Sequence, residues 1–347
     1  MRIGVVNDSV LAREALKRVI EASEDHVVAW TAADGYRAIE LAHADRPDLI
    51  LMDLIMPGIS GVETTRRITA ETNCPILIVT EAVRKTVGMV YDAMGYGALD
   101  AVDTPVLGVR GEIDGARPLS AKIDTIARLV GASIKGSSNR HFVESLYHDA
   151  DLDPTNEAFD FDFVLIGAST GGPNAIATIL ERFPRDWRGC AIVVQHVDLA
   201  FAPGLARWLS DRIGREVNLI EAGDLPRAGA TLLAGTNDHL VVTKSGRFAY
   251  ESEPKSVYYR PSVDVFFASA AAGRMKPGAA AILTGMGADG ARGLLELKNK
   301  GWRTFAQDKE SSIIWGMPRA AAELGAADQV ASLENIAAAI VAGFSRR

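Results

Sequence analysis

Short apolar runs alternate with helical periods twice along this chain, and that alternation points to parallel sheets covered by helices on both faces. The first set reads RIGVV, LAREALKRVIEAS, HVVAWTA, YRAIELAHA, LILMDL, VETTRRITAE, ILIVT, TVGMVYDAMGYG and ALDAV, up to about residue 105. Its five strand-like runs predict a five-stranded parallel sheet. A last helix, SAKIDTIARLVGA, follows Pro105, and residues from about 135 to 159 then mix Gly, Ser, Asn, Asp and Pro without apolar periodicity, as a linker does. The second set reads FVLIGAS, PNAIATILERF, CAIVVQH, FAPGLARWLSDRI, TLLAGT, the hairpin-like LVVTKSGRFAYES, VDVFFASAAAG, AAAILTG, GARGLLELKNKG and a closing helical tail. At 347 residues the chain has room for two cores.

Composition narrows the function classes. A formal charge of -7 argues against nucleic acid as a partner. Cys74 and Cys190 lack metal-ligand spacing and fit a reduced, cytoplasmic setting. MRIGVVNDSV carries no cationic leader, and no later run is long enough to span a bilayer, so neither secretion nor membrane insertion is expected.

In parallel sheets, chemistry collects at the carboxyl ends of the strands. In the first set those ends carry Asn7 and Asp8, then Asp53, then Thr80. An oxygen-rich pocket of this kind suits Mg²⁺, which takes few protein ligands and keeps its waters. IGVVNDS, LILMDLIMPGISGVE, ILIVT and GALDAVDTP resemble the receiver domain of two-component response regulators, a flavodoxin-like fold, over residues 1–122. The resemblance implies that Asp53 is the phospho-acceptor, Asp8 and Asp53 are metal ligands for Mg²⁺, and Thr80 is the switch hydroxyl. Three positions depart from the receiver pattern. Asn7 replaces an acid, Thr104 a lysine and Ala101 a common aromatic, which removes a cation that would pair with Asp53 or its phosphate.

In the second set, Gly167-Ala168-Ser169-Thr170-Gly171 satisfies G-x-S-x-G, the pattern of a serine nucleophile on a strand-to-helix turn. A serine needs a base, and the base needs an orienting acid. His196 ends CAIVVQH and Asp289 follows AAAILTG, so a parallel sheet brings both to the edge that carries Ser169. The resulting order Ser, His, Asp is not that of the α/β-hydrolases, which would need His239 with an earlier acid such as Asp224. A dinucleotide-binding reading of GASTGG lacks its ribose-binding acid. Taken singly, a Ser between glycines is turn chemistry and an Asp between glycines is a cap.

Six ordered blocks, IGASTGGP, VVQH, AGTNDHL, RPSVDVFFASAA, ILTGMGADG and AQDKESSIIWGMPRAA, resemble the catalytic domain of the CheB family of chemotaxis protein-glutamate methylesterases. With the receiver the match spans nearly the whole chain, and the Asn7-Asp8 start and the GALDAVDTP ending look most like the surface-sensing WspF branch. The organisation implied is a receiver domain at 1–122, a helix end and linker at 123–159, and a doubly wound α/β methylesterase domain at 160–347.

By this resemblance Ser169 is the nucleophile, His196 the general acid and base, and Asp289 the group that fixes the imidazole tautomer. Thr170 and Met286, through backbone amides, and Arg260 are oxyanion or pocket candidates, with Ser262 beside them and Met317 at the cleft. Val197-Asp198 stands where the family often has Met-Pro, and the expected effect of Asp198 is on substrate fit or on the neighbouring base. The implied substrates are glutamate γ-methyl esters on methyl-accepting chemoreceptors, with receptor glutamine a second possible substrate. The implied phosphodonor is a CheA-type histidine kinase, and the esterase step needs no cofactor. Two rival readings are a vestigial module that serves as a phosphate sink or receptor-array component, and a general carboxylesterase.

Overall fold

The computed structural model describes residues 1–80, 87–108, 113–131, 159–255, 257 and 259–344. The chain divides into two compact units, Met1–Lys135 and Gly136–Arg347. In the first, the order is β1 (Arg2–Val6), α1 (Val10–Glu21), β2 (Val27–Ala32), α2 (Gly35–Ala44), β3 (Leu49–Met52), α3 (Gly61–Thr72), β4 (Ile76–Thr80), α4 (Val87–Gly95), β5 (Ala98–Asp103), the short pair β6 (Val106–Leu107) and β7 (Ile113–Asp114), and α5 (Ala116–Gly131). The expected five-stranded sheet is parallel, in the order β2-β1-β3-β4-β5. Residues 132–158 of the expected linker lie outside the described residues.

Local chemistry sets these boundaries. Ser9, Asp34 and Ser60 stand at the starts of α1, α2 and α3, and each side chain accepts a hydrogen bond from a first-turn N–H that has no partner in the helix. Ser60 with Glu63 forms the Ser-x-x-Glu capping pattern, and Asn73 closes α3 in the left-handed region at φ 52°. Gly61 lets α3 begin against the end of β3, because a Cβ there would lie 1.9 Å from the Asp53 carbonyl oxygen. The core joins Ile3, Val5, Leu51 and Val79 of the sheet to Leu16 and Ile20 of α1 and to Leu119 and Ile123 of α5.

The second unit contains β8 (Phe163–Ala168), α6 (Gly172–Leu180), β9 (Cys190–Gln195), α7 (Ala202–Ile213), β10 (Val217–Leu219), β11 (Thr231–Leu233), the hairpin β12 (His239–Val242) and β13 (Phe248–Glu251), α8 (Val263–Ala272), β14 (Ala279–Ile282), α9 (Ala291–Asn299), β15 (Arg303–Gln307), α10 (Met317–Glu323), β16 (Gln329–Ala331) and α11 (Leu333–Phe344). Seven parallel strands are ordered β10-β11-β9-β8-β14-β15-β16. The chain builds outward from β8 through β9, then crosses to β14 on its other side. That reversal makes the carboxyl ends of β9, β8 and β14 the expected place for a ligand.

The closing tail is not all helical, because β15 and β16 extend the sheet within it. RTFAQ is short and begins with a charge, so its pattern is weak, yet four of its five residues are buried in the sheet. Phe163, Leu165, Ile192, Val194 and Ile282 pack against Phe266 and Phe267 of α8 and Leu294 and Leu297 of α9. Fully burying one such side chain contributes about 1.5–3 kcal/mol. Trp302 joins this core, and Trp187 packs on Phe183. Burial pushes the Cys74 and Cys190 thiols up to about 11 and about 12, so neither is a nucleophile at neutral pH. No described helix is long and apolar enough to cross a membrane.

Candidate active site

Two strand edges carry the chemistry-bearing residues, one in each unit. In the first, Asn7 and Asp53 follow the neighbouring strands β1 and β3, while Thr80 ends β4. Asp53 is only 8% exposed, whereas Asp8 is exposed to solvent. The Asn7 amide donates to Asp53 Oδ2 at 3.0 Å, and its own oxygen accepts from the Ser9 N–H at 2.8 Å. Those two contacts fix the orientation of the amide. Leu54 N–H donates to Asp53 Oδ1 at 2.7 Å, and the Thr80 hydroxyl also hydrogen-bonds the carboxylate. Burial raises the Asp53 carboxyl above its usual range and the Asp8 charge adds to this, against the pull of the Leu54, Thr80 and Ile55 donors. Thr104 is buried, and its hydroxyl has no hydrogen-bond partner among the described residues. Ala101 is buried in β5.

In the second unit Ser169 and His196 directly follow β8 and β9, whose last residues, Ala168 and Gln195, pair in register. Neighbouring strands run about 4.8 Å apart, so the two side chains start side by side. His196 Nε2 lies 2.7 Å from Asp289 Oδ2. Asp289 also accepts the Ser262 hydroxyl at 2.7 Å, Val263 N–H at 2.7 Å and Asp264 N–H at 3.1 Å. It therefore sits on the first turn of α8, where backbone donors and the helix dipole favour an anion. Burial pushes its carboxyl up, but the His196 contact and charge and the Ser262 and Val263 donors outweigh it and hold Asp289 below the usual range.

An ionised Asp289 only accepts hydrogen bonds, so His196 Nε2 carries a proton and, in the neutral imidazole, Nδ1 keeps its lone pair. Nδ1 is buried and has no hydrogen-bond partner among the described residues. An imidazole with one nitrogen on a buried carboxylate and the other vacant can take the proton of a serine that comes within hydrogen-bond reach.

Around this pair are residues the sequence did not single out. Gln195, fully buried, donates through Nε2 to the carbonyls of Ser169 at 2.8 Å and His196 at 3.1 Å, tying the two strand ends together. The Thr284 hydroxyl donates to the Thr170 carbonyl at 2.9 Å. Gly285 passes so close to Ser169 that a Cβ would lie 2.8 Å from the serine Cβ. Asp264, half-buried beside Asp289, accepts from Gly293 N–H at 2.8 Å, and desolvation and then the Asp289 charge push its carboxyl up to about 7. The only sequence signal for these four was their membership of the quoted blocks.

Other candidates settle differently. Met317 is fully buried in the core beneath Gly285 and does not line a cleft. Asp198 accepts from Ala200 N–H and from Asn237 Nδ2, at 2.9 and 3.2 Å, which closes the loop before α7. Arg260 is half-buried in the loop before α8, and its charge acts on His239.

His239 is a structural pin and not a base for Ser169. Its Nδ1 accepts from Ser262 N–H at 3.2 Å, so Nε2 is the nitrogen that faces the Pro254 carbonyl, at 3.4 Å. Burial holds its pKa below 6.5 and Arg260 pushes the same way, while the Pro254 carbonyl, Asp289 and Asp238 pull up. A histidine with a depressed folded pKa contributes stability that is complete above its unfolded pKa and is lost as pH falls through the folded value. The melting temperature of this unit is therefore expected to fall as pH drops below about 6.5, and His239→Gln, which keeps one donor and one acceptor, to show a shallower fall. Calorimetry between neutral and mildly acidic pH checks this, and parallel curves for the two proteins would refute it.

The CheB methylesterase family pattern matches residues 164–340, and the response regulator receiver pattern matches residues 3–107. Protein-glutamate methylesterase/protein-glutamine glutaminase 2 of Cupriavidus metallidurans is 46% identical over 341 residues, 98% of each chain. The methylesterase/glutaminase of Mesorhizobium japonicum is 45% identical, over 100% of this chain and 99% of its own. Number 1 of Pseudomonas fluorescens is 44% identical over 100% of both. The crystal structure of the Thermotoga maritima CheB methylesterase catalytic domain is 31% identical, with a TM-score of 0.49, over 53% of this chain and 99% of that one.

Proposed function

This chain belongs to the CheB family of protein-glutamate methylesterases, with a response regulator receiver domain ahead of the catalytic domain, and we propose that it hydrolyses glutamate γ-methyl esters on chemoreceptors under control of Asp53 phosphorylation. The observation that carries this reading is His196, held on Asp289 through Nε2 with Nδ1 vacant at the strand edge of Ser169. Ser169 Oγ bonds to the ester carbonyl carbon while its proton passes to Nδ1. The carbonyl oxygen becomes an oxyanion, for which the backbone N–H groups of Thr170 and Met286 are the proposed donors. Collapse breaks the bond to the methoxy group, which leaves as methanol with the proton from His196. Water then attacks the acyl-serine, giving its proton to His196, which returns it to Ser169 Oγ as glutamate leaves. Receptor glutamine follows the same steps with ammonia as the leaving group.

In the receiver, the donor set is two carboxylates, the solvent-exposed Asp8 and Asp53, whose charges act on one another. The Asn7 oxygen is committed to Ser9. Two carboxylates fit Mg²⁺, which takes few protein ligands and would keep several of its waters there. When bound, the ion offsets the negative charge that builds as a phosphoryl group meets a carboxylate. The phosphodonor is proposed to be a CheA-type histidine kinase, and the protein to work in the cytoplasm. Asn7-Asp8 and GALDAVDTP favour the surface-sensing branch of the family.

Incubation with a small acyl phosphate and Mg²⁺ is expected to add one phosphoryl group to the wild type and none to Asp53→Asn, read by intact mass. Methanol release from methylated receptor is expected to rise with the donor in the wild type alone. Equal rates in both proteins, with and without donor, would sink the regulatory part. The vestigial reading is disfavoured by the hydrogen-bonded Asp289–His196 pair, which a phosphate sink does not need.

A further inference from the structure

Tyr259 lies in the loop before α8, and its ring stacks on the His196 imidazole, with centroids 4.2 Å apart and planes 6° from parallel. We propose that Tyr259 is a positioning residue, a plate that holds the imidazole in the plane joining Asp289 to Ser169 and that favours the imidazolium formed when Ser169 loses its proton. The proposal rests on the reading of Ser169 and His196 given above.

A histidine ring turns over a broad torsion about its last bond. The Asp289 hydrogen bond restrains the ring at one atom, which leaves rotations that swing Nδ1 away from the serine. A parallel aromatic face at van der Waals distance blocks those rotations. The Tyr259 ring reaches beyond His196. Its hydroxyl lies over the turn that leads to Asp289, since a Cβ on Gly287 would be 3.1 Å from the phenol oxygen. Downstream, Ser262 is fixed by its N–H on His239 Nδ1 and its hydroxyl on Asp289 Oδ1. One ring thus spans the base and the turn that carries the acid.

The stack also has an electrostatic direction. Two neutral rings gain little electrostatically from a directly superposed face and prefer offset or edge-on contact. A cation over the same face is attracted by the ring quadrupole. The face of Tyr259 is therefore more favourable to His196 after proton transfer than before it, and an interaction stronger in the transition state than in the ground state acts on kcat.

The test uses the full chain and labelled methanol release from methylated chemoreceptor membranes, with Ser169→Ala as the zero. Tyr259→Leu is expected to lower kcat about tenfold with KM unchanged, and Tyr259→Phe to keep the wild-type kcat. The His196 ring protons, assigned by comparison with His196→Gln, are expected to resonate upfield through the ring current of Tyr259, in the wild type and Tyr259→Phe alike. That signature needs no leucine variant, so a Tyr259→Leu chain that does not fold leaves the idea testable. A wild-type kcat in folded Tyr259→Leu, an equal loss in the leucine and phenylalanine variants, or unshifted imidazole protons in the wild type would each overturn it while the triad stands. No turnover by the wild type above the Ser169→Ala zero overturns both.

Discussion

Replacing Ser169 with alanine is expected to reduce methanol release from methylated receptor by at least about a thousandfold in kcat, with little change in KM or melting temperature. The serine oxygen is the atom that bonds to the substrate carbonyl in the proposed route, and nothing else at this edge can replace it. No other hydroxyl among the described residues is hydrogen-bonded to the His196 ring, and both cysteine thiols are buried and protonated at neutral pH. What survives is binding and the amide donors, which can still assist water. Stability is expected to hold because Ser169 contributes to the fold through its backbone. Its N–H donates to the Thr284 carbonyl at 3.0 Å, and its carbonyl accepts from Gly172 N–H at 2.8 Å and from Gln195. Alanine keeps all three, so the change in stability should stay within about 0.5 kcal/mol. Labelled methanol counted from wild type and variant side by side decides the matter. A variant that retains a tenth of the wild-type rate would remove Ser169 from the chemistry and make a general base acting on water the mechanism to pursue.

Much of this site was legible because parallel strands impose a simple geometry. Runs that end in Ser169, His196 and the turn to Asp289 all deliver their last residues to one edge, so three residues far apart in sequence could be grouped before any coordinate was known. The order Ser, His, Asp excluded the commoner hydrolase arrangement, and the structure gives His239 another task, pinning Ser262. What the sequence could not reveal are relations that depend on side-chain direction. Nothing in CAIVVQH distinguishes a glutamine that ends a strand from Gln195, whose amide ties two carbonyls together. Nothing in YYRPS says that one tyrosine lies flat on His196. Nor does spacing say that Nε2 faces the acid, which makes Nδ1 the basic nitrogen. In the fold, the misread tail has the same origin. RTFAQ lacks a clean alternation because it lies inside the sheet, between β14 and β16, where both faces are covered.

Asp289→Asn is expected to cost activity and stability together. Four donors converge on the carboxylate: His196 Nε2 and Val263 N–H on Oδ2, and the Ser262 hydroxyl and Asp264 N–H on Oδ1. An asparagine has one oxygen to offer them, and its NH₂ must meet the other two donors. If the NH₂ takes the Oδ2 side, His196 has to present a bare Nε2 and carry its proton on Nδ1, where it can no longer accept from Ser169. If it takes the Oδ1 side, the Ser262 hydroxyl can turn away, but the Asp264 N–H loses its acceptor and the imidazolium forms beside a neutral amide. The first orientation predicts a loss near ten-thousandfold in kcat and the second a loss nearer a hundredfold. In both, a buried donor goes unsatisfied, at a cost of about 1–3 kcal/mol. Removing the charge has a further consequence for Asp264, whose carboxyl is pushed up first by burial and then by Asp289. With Asp289 neutralised, Asp264 should titrate lower. A carboxyl with a raised folded pKa takes stability away as pH rises through and above its unfolded value, so the variant's deficit should be smaller at pH 7 than at pH 5. Calorimetry at the two pH values, alongside kcat, tests both halves. A folded variant with less than a tenfold loss of kcat would mean that the carboxylate shapes the first turn of α8 without orienting the base.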